Sequence, residues 1–342
     1  MVCHSYINGP NKSIKLPYNP HKLNKEEPTK FKIWFKKDNS KFYYEVSYIL
    51  EQIIEENLYY CDLSKSKKMI TIFERDNNSF IPGSNFKGEF GNCDKELKDK
   101  KLLLSVSANI TNIKPIAEAF SFFDDDIVIW KHADSARWTE ETANELQNDI
   151  NFDKIALGLL RKVCPKLQSI TAKVQKQSVS AQDLPTDLPD FIKDKLISNH
   201  LTTLDIKFNY DKFSTDISEE SLGTRLLFNM VTPLLDVIKH NKVFICDEFE
   251  THLHPALAKE LLRFFYSYKE SDSQFILTTH NLELLDKNMI RRDQIWFTSI
   301  DNDNRETELY SLAEYNGVRN DENLRKGYIE HRYGSWPNIE LY

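Results

Sequence analysis

Glycine is scarce in this sequence. Its 342 residues hold nine, under half the usual share of about 7%, so every phosphate-cradling loop can be checked residue by residue. No G-x-G-x-x-G is present, which excludes a dinucleotide fingerprint. A G-x-x-x-x-G-K-[ST] loop needs two glycines five apart. Only Gly83 and Gly88 meet that spacing, and Glu89-Phe90 follows them. Gly9-Pro10-Asn11-Lys12-Ser13 is too short for such a loop, and no apolar strand precedes it.

Cysteine is sparse as well. The five residues Cys3, Cys61, Cys93, Cys164 and Cys246 are odd in number, scattered and never spaced C-x-x-C. That argues against a disulfide framework and a thiolate zinc site, and fits reduced thiols in a cytoplasmic protein. No run of 18 apolar residues occurs, so no membrane span is expected. The polar first 20 residues lack the apolar stretch of a signal peptide. The net charge of −7 disfavours a generally basic, nucleic-acid-coating surface but leaves room for a local basic groove. With 40% hydrophobic and 28% charged residues, the chain reads as globular, and its length allows two or three domains.

Residues 1–28 read as an irregular N-terminal segment. Strand-like runs follow at 31–35, 42–49, 56–61 and 69–74, separated by polar turns. They predict an antiparallel β-rich subdomain within 29–135, with 101–107 a buried strand or a helix start and 113–130 helical. Between 136 and 215, Ala143, Leu146 and Ile150, then Ile155, Leu159 and Val163, recur at helical spacing. This stretch is expected to be a helical insertion, an arm or lid, with a Pro- and Asp-rich loop at 182–190. The remainder, 216–342, alternates helix and strand as an open parallel sheet does. Helices are expected at 221–239 (kinked at Pro233), 255–269 and 282–287, and strands at 242–246, 274–279, 294–298 and 307–311.

The chemistry-bearing residues lie in this last part. Val243-Phe244-Ile245-Cys246-Asp247-Glu248 is a buried strand ending in two carboxylates. In nucleotide hydrolases, such a pair holds Mg²⁺ through the first carboxylate, here Asp247, and orients or deprotonates the attacking water through the second, here Glu248. A solvated turn is the plain alternative. Phe275-Ile276-Leu277-Thr278-Thr279-His280 is a second apolar strand with a polar end, and His280 either senses a γ-phosphate there or caps a helix. Glu220-Ser221-Leu222-Gly223-Thr224-Arg225 opens an amphipathic helix. A Ser hydroxyl and free N–H groups at a helix start form an anion site, and Gly223 allows a phosphate close to the backbone; Ser221 as a simple N-cap is the alternative. His252-x-His254 is a weak metal motif with no third spaced ligand.

Taken in order, S-x-G-T-R, helix, hhhhDE, L-H-P, helix and T-T-H make a specific string. With it the sequence resembles the ABC-type ATPase heads of the AAA-family proteins in bacterial abortive-infection and phage-defence systems, relatives of the overcoming-lysogeny ATPases. Arg291 to Phe297, Val318 to Asn323 and Arg332-Tyr333-Gly334 also look like that family. The resemblance is strong from residue 219 onward and loose before it. It implies a P-loop NTPase-like, ABC-type α/β head with an open, mostly parallel sheet. Two heads would pack head-to-tail with ATP and Mg²⁺ between them. By the same resemblance, Ser221 and Gly223 would contact the γ-phosphate held by the opposite subunit. Asp247 would bind Mg²⁺, Glu248 would be the catalytic base, His280 the switch, and Leu253-His254-Pro255 would cross the dimer interface.

Family members begin with a strand, a P-loop and a helix, and here the sequence starts after them. The resemblance therefore allows a start site placed too far downstream, a degenerate gene, or a P-loop-supplying partner. The missing strand is expected to leave unpaired backbone beside the strand of Asp247. A non-catalytic interaction protein derived from such an ATPase is the alternative function, and a metal-dependent nuclease using Asp247, Glu248 and His254 a remote third. An effector protein or DNA is the expected target.

Overall fold

The computed structural model describes residues 16–177, 201–268, 271–315, 318 and 322–334. The loop expected at 182–190, the Gly9–Ser13 segment and Arg319, Asn320 and Asp321 lie outside the described residues. The chain divides into two compact units. The first takes the described residues up to Ile127 together with Ile300–Glu308, and the second takes Val128–Ser299 and the residues from Leu309 onward.

The first unit is built on an antiparallel meander. Strands β1 (Thr29–Lys37), β2 (Ser40–Tyr48), β3 (Ile53–Asp62), β4 (Ile70–Asp76) and β5 (Ser79–Pro82) pair in that order. Two hairpins turn on Asp38-Asn39 and Asn77-Asn78, whose first residues take left-handed φ of 50° and 52°. Such two-residue turns match the right-handed twist of the strands, and Asn and Asp tolerate them best after glycine. Alternation sets the two faces: Phe42, Tyr44 and Val46 of β2 are buried, while the residues between them face outward.

Three helices follow: α1 (Cys93–Glu96), α2 (Leu103–Ile110) and α3 (Lys114–Asp125). The run expected to be a strand or helix start at 101–107 is thus helical. The stretch 113–130 is a helix only to Asp125; β6 (Ile127–Trp130) follows it. Helix α2 lacks a side-chain cap of its own. Glu56 of β3 supplies one from across the core. Its carboxylate accepts the Leu103 and Leu104 N–H groups at 2.6 and 2.9 Å, the Tyr44 hydroxyl at 2.9 Å and Arg75 Nη1 at 3.1 Å. Both side chains of the Glu56–Arg75 pair are fully buried. Arg75 directs its remaining donors to the carbonyls of Asn77, Lys98 and Lys101, so the buried charges are paired and hydrogen-bonded as burial demands.

In the second unit, helices α4 (Ser135–Asn148) and α5 (Ile150–Leu160) precede strands β7 (Leu167–Gln177), β8 (Leu201–Tyr210) and β9 (Ser214–Asp216), an antiparallel sheet in that order. The expected helical insertion at 136–215 is therefore helical only to Leu160. Beyond it, Ile170, Ala172 and Val174 and then Leu204, Ile206 and Phe208 alternate with polar residues, a period of two that builds strands. Nor does the stretch stand apart as a domain. Helix α4 packs on α6 (Leu222–His240), with Thr139 Oγ1 bonded to Asn229 at 2.7 Å and Thr142 Oγ1 to Thr232 Oγ1 at 2.8 Å. One hydrophobic core runs through both.

Helix α6 is the spine of that core. Leu227, Met230, Leu234 and Ile238, the face expected from its periodicity, are all buried, and the helix continues through Pro233. After it come β10 (Val243–Cys246), α7 (Pro255–Ser267) and β11 (Gln274–Leu277). Strands β10 and β11 are parallel, with Phe244 opposite Phe275 and Cys246 opposite Leu277. The sheet order is β11-β10-β6. Strand β10 is thus flanked on both sides, contrary to the expectation of bare backbone beside it. Among the described residues, the outer strands of this sheet are β11 and β6. The segment at 282–287 forms a 3₁₀ turn over Leu282–Leu284 rather than a helix. Strands β12 (Trp296–Ile300) and β13 (Thr307–Ser311) pair, and α8 (Leu324–Ile329) closes the described chain. Ile295, Phe297, Leu312, Leu324 and Tyr333 form a small separate core there.

Candidate functional site

The apolar run of β10 buries Phe244 and Cys246 and delivers Asp247 and Glu248, both exposed, at its carboxyl end. Open α/β sheets bind ligands at this end of their strands. The buried Phe249 anchors the turn from below, its ring 6.2 Å from that of Phe265 on α7.

The end of β11 is laced to this turn. Thr278 N–H donates to the Cys246 carbonyl at 3.0 Å, and Phe249 N–H to the Thr278 carbonyl at 3.0 Å. The Thr278 hydroxyl donates to Asp247 Oδ1 at 2.5 Å and accepts from Glu248 N–H at 2.8 Å. The His280 backbone N–H donates to Glu250 Oε1 at 2.6 Å, while Thr251 Oγ1 donates to Glu248 Oε2 at 3.2 Å. Asp247, Glu248 and His280 are therefore brought to one place by two short parallel strands and two side-chain bridges.

The turn is strained. Glu248 has φ of 48° and His252 of 66°, in the left-handed region that crowds the Cβ of any residue but glycine. Such strain gathers where a side chain must be aimed. Two polar atoms beside the turn, Glu250 Oε2 and Asn281 Nδ2, are buried without a partner. Burial pushes the Cys246 thiol up to about 12, with Asp247 and Glu250 adding to the effect. That cysteine is a packing residue and remains protonated near neutral pH.

Ser221 caps α6: its Oγ accepts Thr224 N–H at 3.2 Å and lies 2.8 Å from Thr224 Oγ1. Leu222 next to it is 45% exposed. Gly223 sits against the turn after β10, where a Cβ in its place would lie 3.0 Å from the His252 carbonyl oxygen. The start of α6 and the Asp247–Leu253 turn thus meet at Gly223, although among the described residues no hydrogen bond joins Ser221 to Asp247, Glu248 or His280. His254 caps α7, its Nδ1 accepting Ala256 N–H at 3.2 Å. No group of three or more His, Cys, Asp or Glu residues that could hold a metal stands among the described residues.

Residues 15–286 match the family described as "AAA domain, putative AbiEii toxin, Type IV TA system". The chain belongs to this AAA-domain family. Its architecture is α/β, with a parallel pair of strands in one sheet, an antiparallel N-terminal sheet and flanking helices. Three solved structures are similar at low identity. An SMC head bound to the C-terminal winged-helix domain of ScpA has 11% identity and a TM-score of 0.37, covering 80% of this chain and 73% of the other. The SMC head domain of Thermotoga maritima has 9% and 0.32, covering 80% and 74%. An SMC head with an extended coiled coil, bound to the C-terminal domain of ScpA from Pyrococcus furiosus, has 9% and 0.36, covering 80% and 77%. No curated protein matches in sequence. No helix among the described residues is long and apolar enough to cross a membrane.

In this AAA-family chain, Thr278 and Glu250 are the residues that sequence reasoning passed over. Each had a faint signal: the first Thr in T-T-H, and a third carboxylate in D-E-F-E. Their roles are set by contacts some 30 positions away, which no local pattern carries. The oxygen donors gathered here suit a hard divalent cation such as Mg²⁺, which keeps several waters and takes only one or two carboxylates from protein.

Proposed function

We propose that this chain is an ABC-type ATPase head that binds and hydrolyses ATP with Mg²⁺ as part of a head-to-tail dimer, in phage defence by abortive infection. The observation that carries this reading is the pairing of Asp247 and Glu248 with the Thr278–His280 segment across the ends of β10 and β11. Two parallel strands present a carboxylate pair and a histidine on one rim, and family membership supports nucleotide chemistry there. Asp247 would hold Mg²⁺ through its oxygen not engaged by Thr278. Glu248 would take the proton of the attacking water, and His280 would sense the γ-phosphate. Ser221 and Gly223, at the N-terminus of the 19-residue helix α6, would serve the nucleotide of the opposite head.

No complete G-x-x-x-x-G-K-[ST] loop stands among the 342 residues, and in this reading the phosphate cradle would come from a P-loop-bearing partner. The outer position of β11 supports this reading, since its free edge offers one more strand a place to pair. The test uses a version of the protein that carries a P-loop. Glu248→Gln in that version is expected to accumulate as an ATP-bound dimer, read by light scattering with and without Mg-ATP. Hydrolysis by that variant at the unmodified rate would sink the assignment. If Mg-ATP leaves the melting temperature of every version unchanged, the non-catalytic interaction role takes its place.

A further inference from the structure

The outward face of the first unit's sheet carries a column of stacked rings. Trp34, Tyr43 and Tyr59 stand directly opposite one another on β1, β2 and β3. Trp34 stacks on Tyr43 with centroids 4.4 Å apart and planes at 29°, and Tyr43 on Tyr59 at 5.7 Å and 25°. The phenols are fixed from their far ends: Tyr43 donates to Glu45 at 3.0 Å and Tyr59 to Glu74 at 2.8 Å. The column ends in Trp34 on the edge strand, and the indole is 58% exposed.

That end of the column is basic. Strand β1 holds four lysines and no acidic residue in nine positions. Lys30 and Lys36 share the face of Trp34 by alternation. Lys41, opposite Lys36, places its ammonium 4.9 Å from the indole centroid. Lys32 is taken up by Glu45 at 3.2 Å, whereas Lys30, Lys36 and Lys41 make no ion pair among the described residues. Of the acidic residues on this face, Glu45 on β2 is engaged by Lys32 and Tyr43, and Glu55, Glu74 and Asp76 lie on β3 and β4. Lysines on an edge strand also deter pairing with another sheet. That role needs no exposed tryptophan at the head of an ordered ring stack, and it makes a second copy docked along β1 a poor occupant, because two lysine rows would meet.

We propose that this corner of the sheet binds single-stranded nucleic acid, with an unpaired base stacking on Trp34 and backbone phosphates held by Lys30, Lys36 and Lys41. Base-on-aromatic stacking flanked by basic side chains is the general chemistry of sequence-tolerant single-strand binding. The rings are already ordered by their carboxylate partners, so little freedom is lost when a base joins the column. A duplex keeps its bases stacked inside and cannot use the indole.

The test is fluorescence anisotropy of the unmodified protein with a labelled oligothymidylate about 20 nucleotides long, a length that exceeds ordinary single-strand site sizes. Saturable binding is expected. Three phosphate contacts give a salt slope near −2, so affinity should fall roughly 20-fold between about 50 and 200 mM salt. Trp34→Ala should weaken binding about tenfold or more, and Trp34→Phe by much less. Lys36→Glu with Lys41→Glu should abolish it. All of these changes sit on the exposed face, and circular dichroism would confirm that each variant is folded. Four results would overturn the proposal: no saturable binding at low salt, equal affinity for duplex, Trp34→Ala binding as tightly as the unmodified protein, or displacement by polyglutamate with no dependence on Trp34. The last would mark the corner as a site for acidic polypeptide.

Discussion

The left-handed backbone at Glu248 makes a prediction whose sign is opposite to the ordinary one. At φ of 48°, a Cβ crowds the following carbonyl, which costs about 1–2 kcal/mol and is absent in glycine. Glycine gives back roughly 0.5–1 kcal/mol through the greater freedom of its unfolded chain. Glu248→Ala and Glu248→Gly both lose the exposed bond from Thr251, so their difference isolates the backbone. Glu248→Gly should be the more stable of the two by about 1 kcal/mol, a gap of roughly 2–4 °C in melting temperature for a chain of this class. At a right-handed helical position, glycine would instead be about 1 kcal/mol worse than alanine. The assay is a melting curve of the two variants and Glu248→Gln in one buffer. If the alanine variant melts at or above the glycine variant, the turn is not strained as described. If glycine wins, the strain belongs to the site: the residue that stability would choose is not the carboxylate that chemistry needs.

Two further predictions concern burial. Glu56→Ala should destabilise the protein by about 3–5 kcal/mol, because it strands the fully buried Arg75 charge and uncaps α2. Urea unfolding followed by circular dichroism measures it, and a loss under about 1 kcal/mol would contradict the network. Cys246, with its thiol pushed up to about 12 by burial, has almost no thiolate at pH 8. Iodoacetamide should label it only after unfolding, as peptide mass mapping would show; rapid labelling of the native chain would place that thiol in a different environment.

The carboxylate rim was the most legible part of the structure. Four apolar residues and two acids in a row specify a buried strand and its solvated end without help from the rest of the chain, and α6 announces itself through Leu227, Met230, Leu234 and Ile238. Strands β7 and β8 were legible too, through the alternation around Ile170 and Ile206. The helical spacing of Ile155, Leu159 and Val163 runs up to their start and masks the change of period from about 3.6 to two. The flanking of β10 on both sides was not legible, since the order β11-β10-β6 depends on which strand lands beside which. Glu250 and Thr278 belong to the same class. A carboxylate that accepts from a backbone N–H 30 residues away leaves no local trace in the sequence.

Helix α2 is only eight residues long, well short of what holds together alone in water. Its first turn depends on Glu56, 47 positions back along the chain from Leu103. Its first turn is therefore capped only where β3 stands beside it. The acceptor for the Leu103 and Leu104 N–H groups is thus held in place by the register of β3 and β4, which sets Glu56 against Arg75. A local element has thereby become dependent on a long-range contact, although the meander that supplies it pairs each strand with its neighbour in sequence.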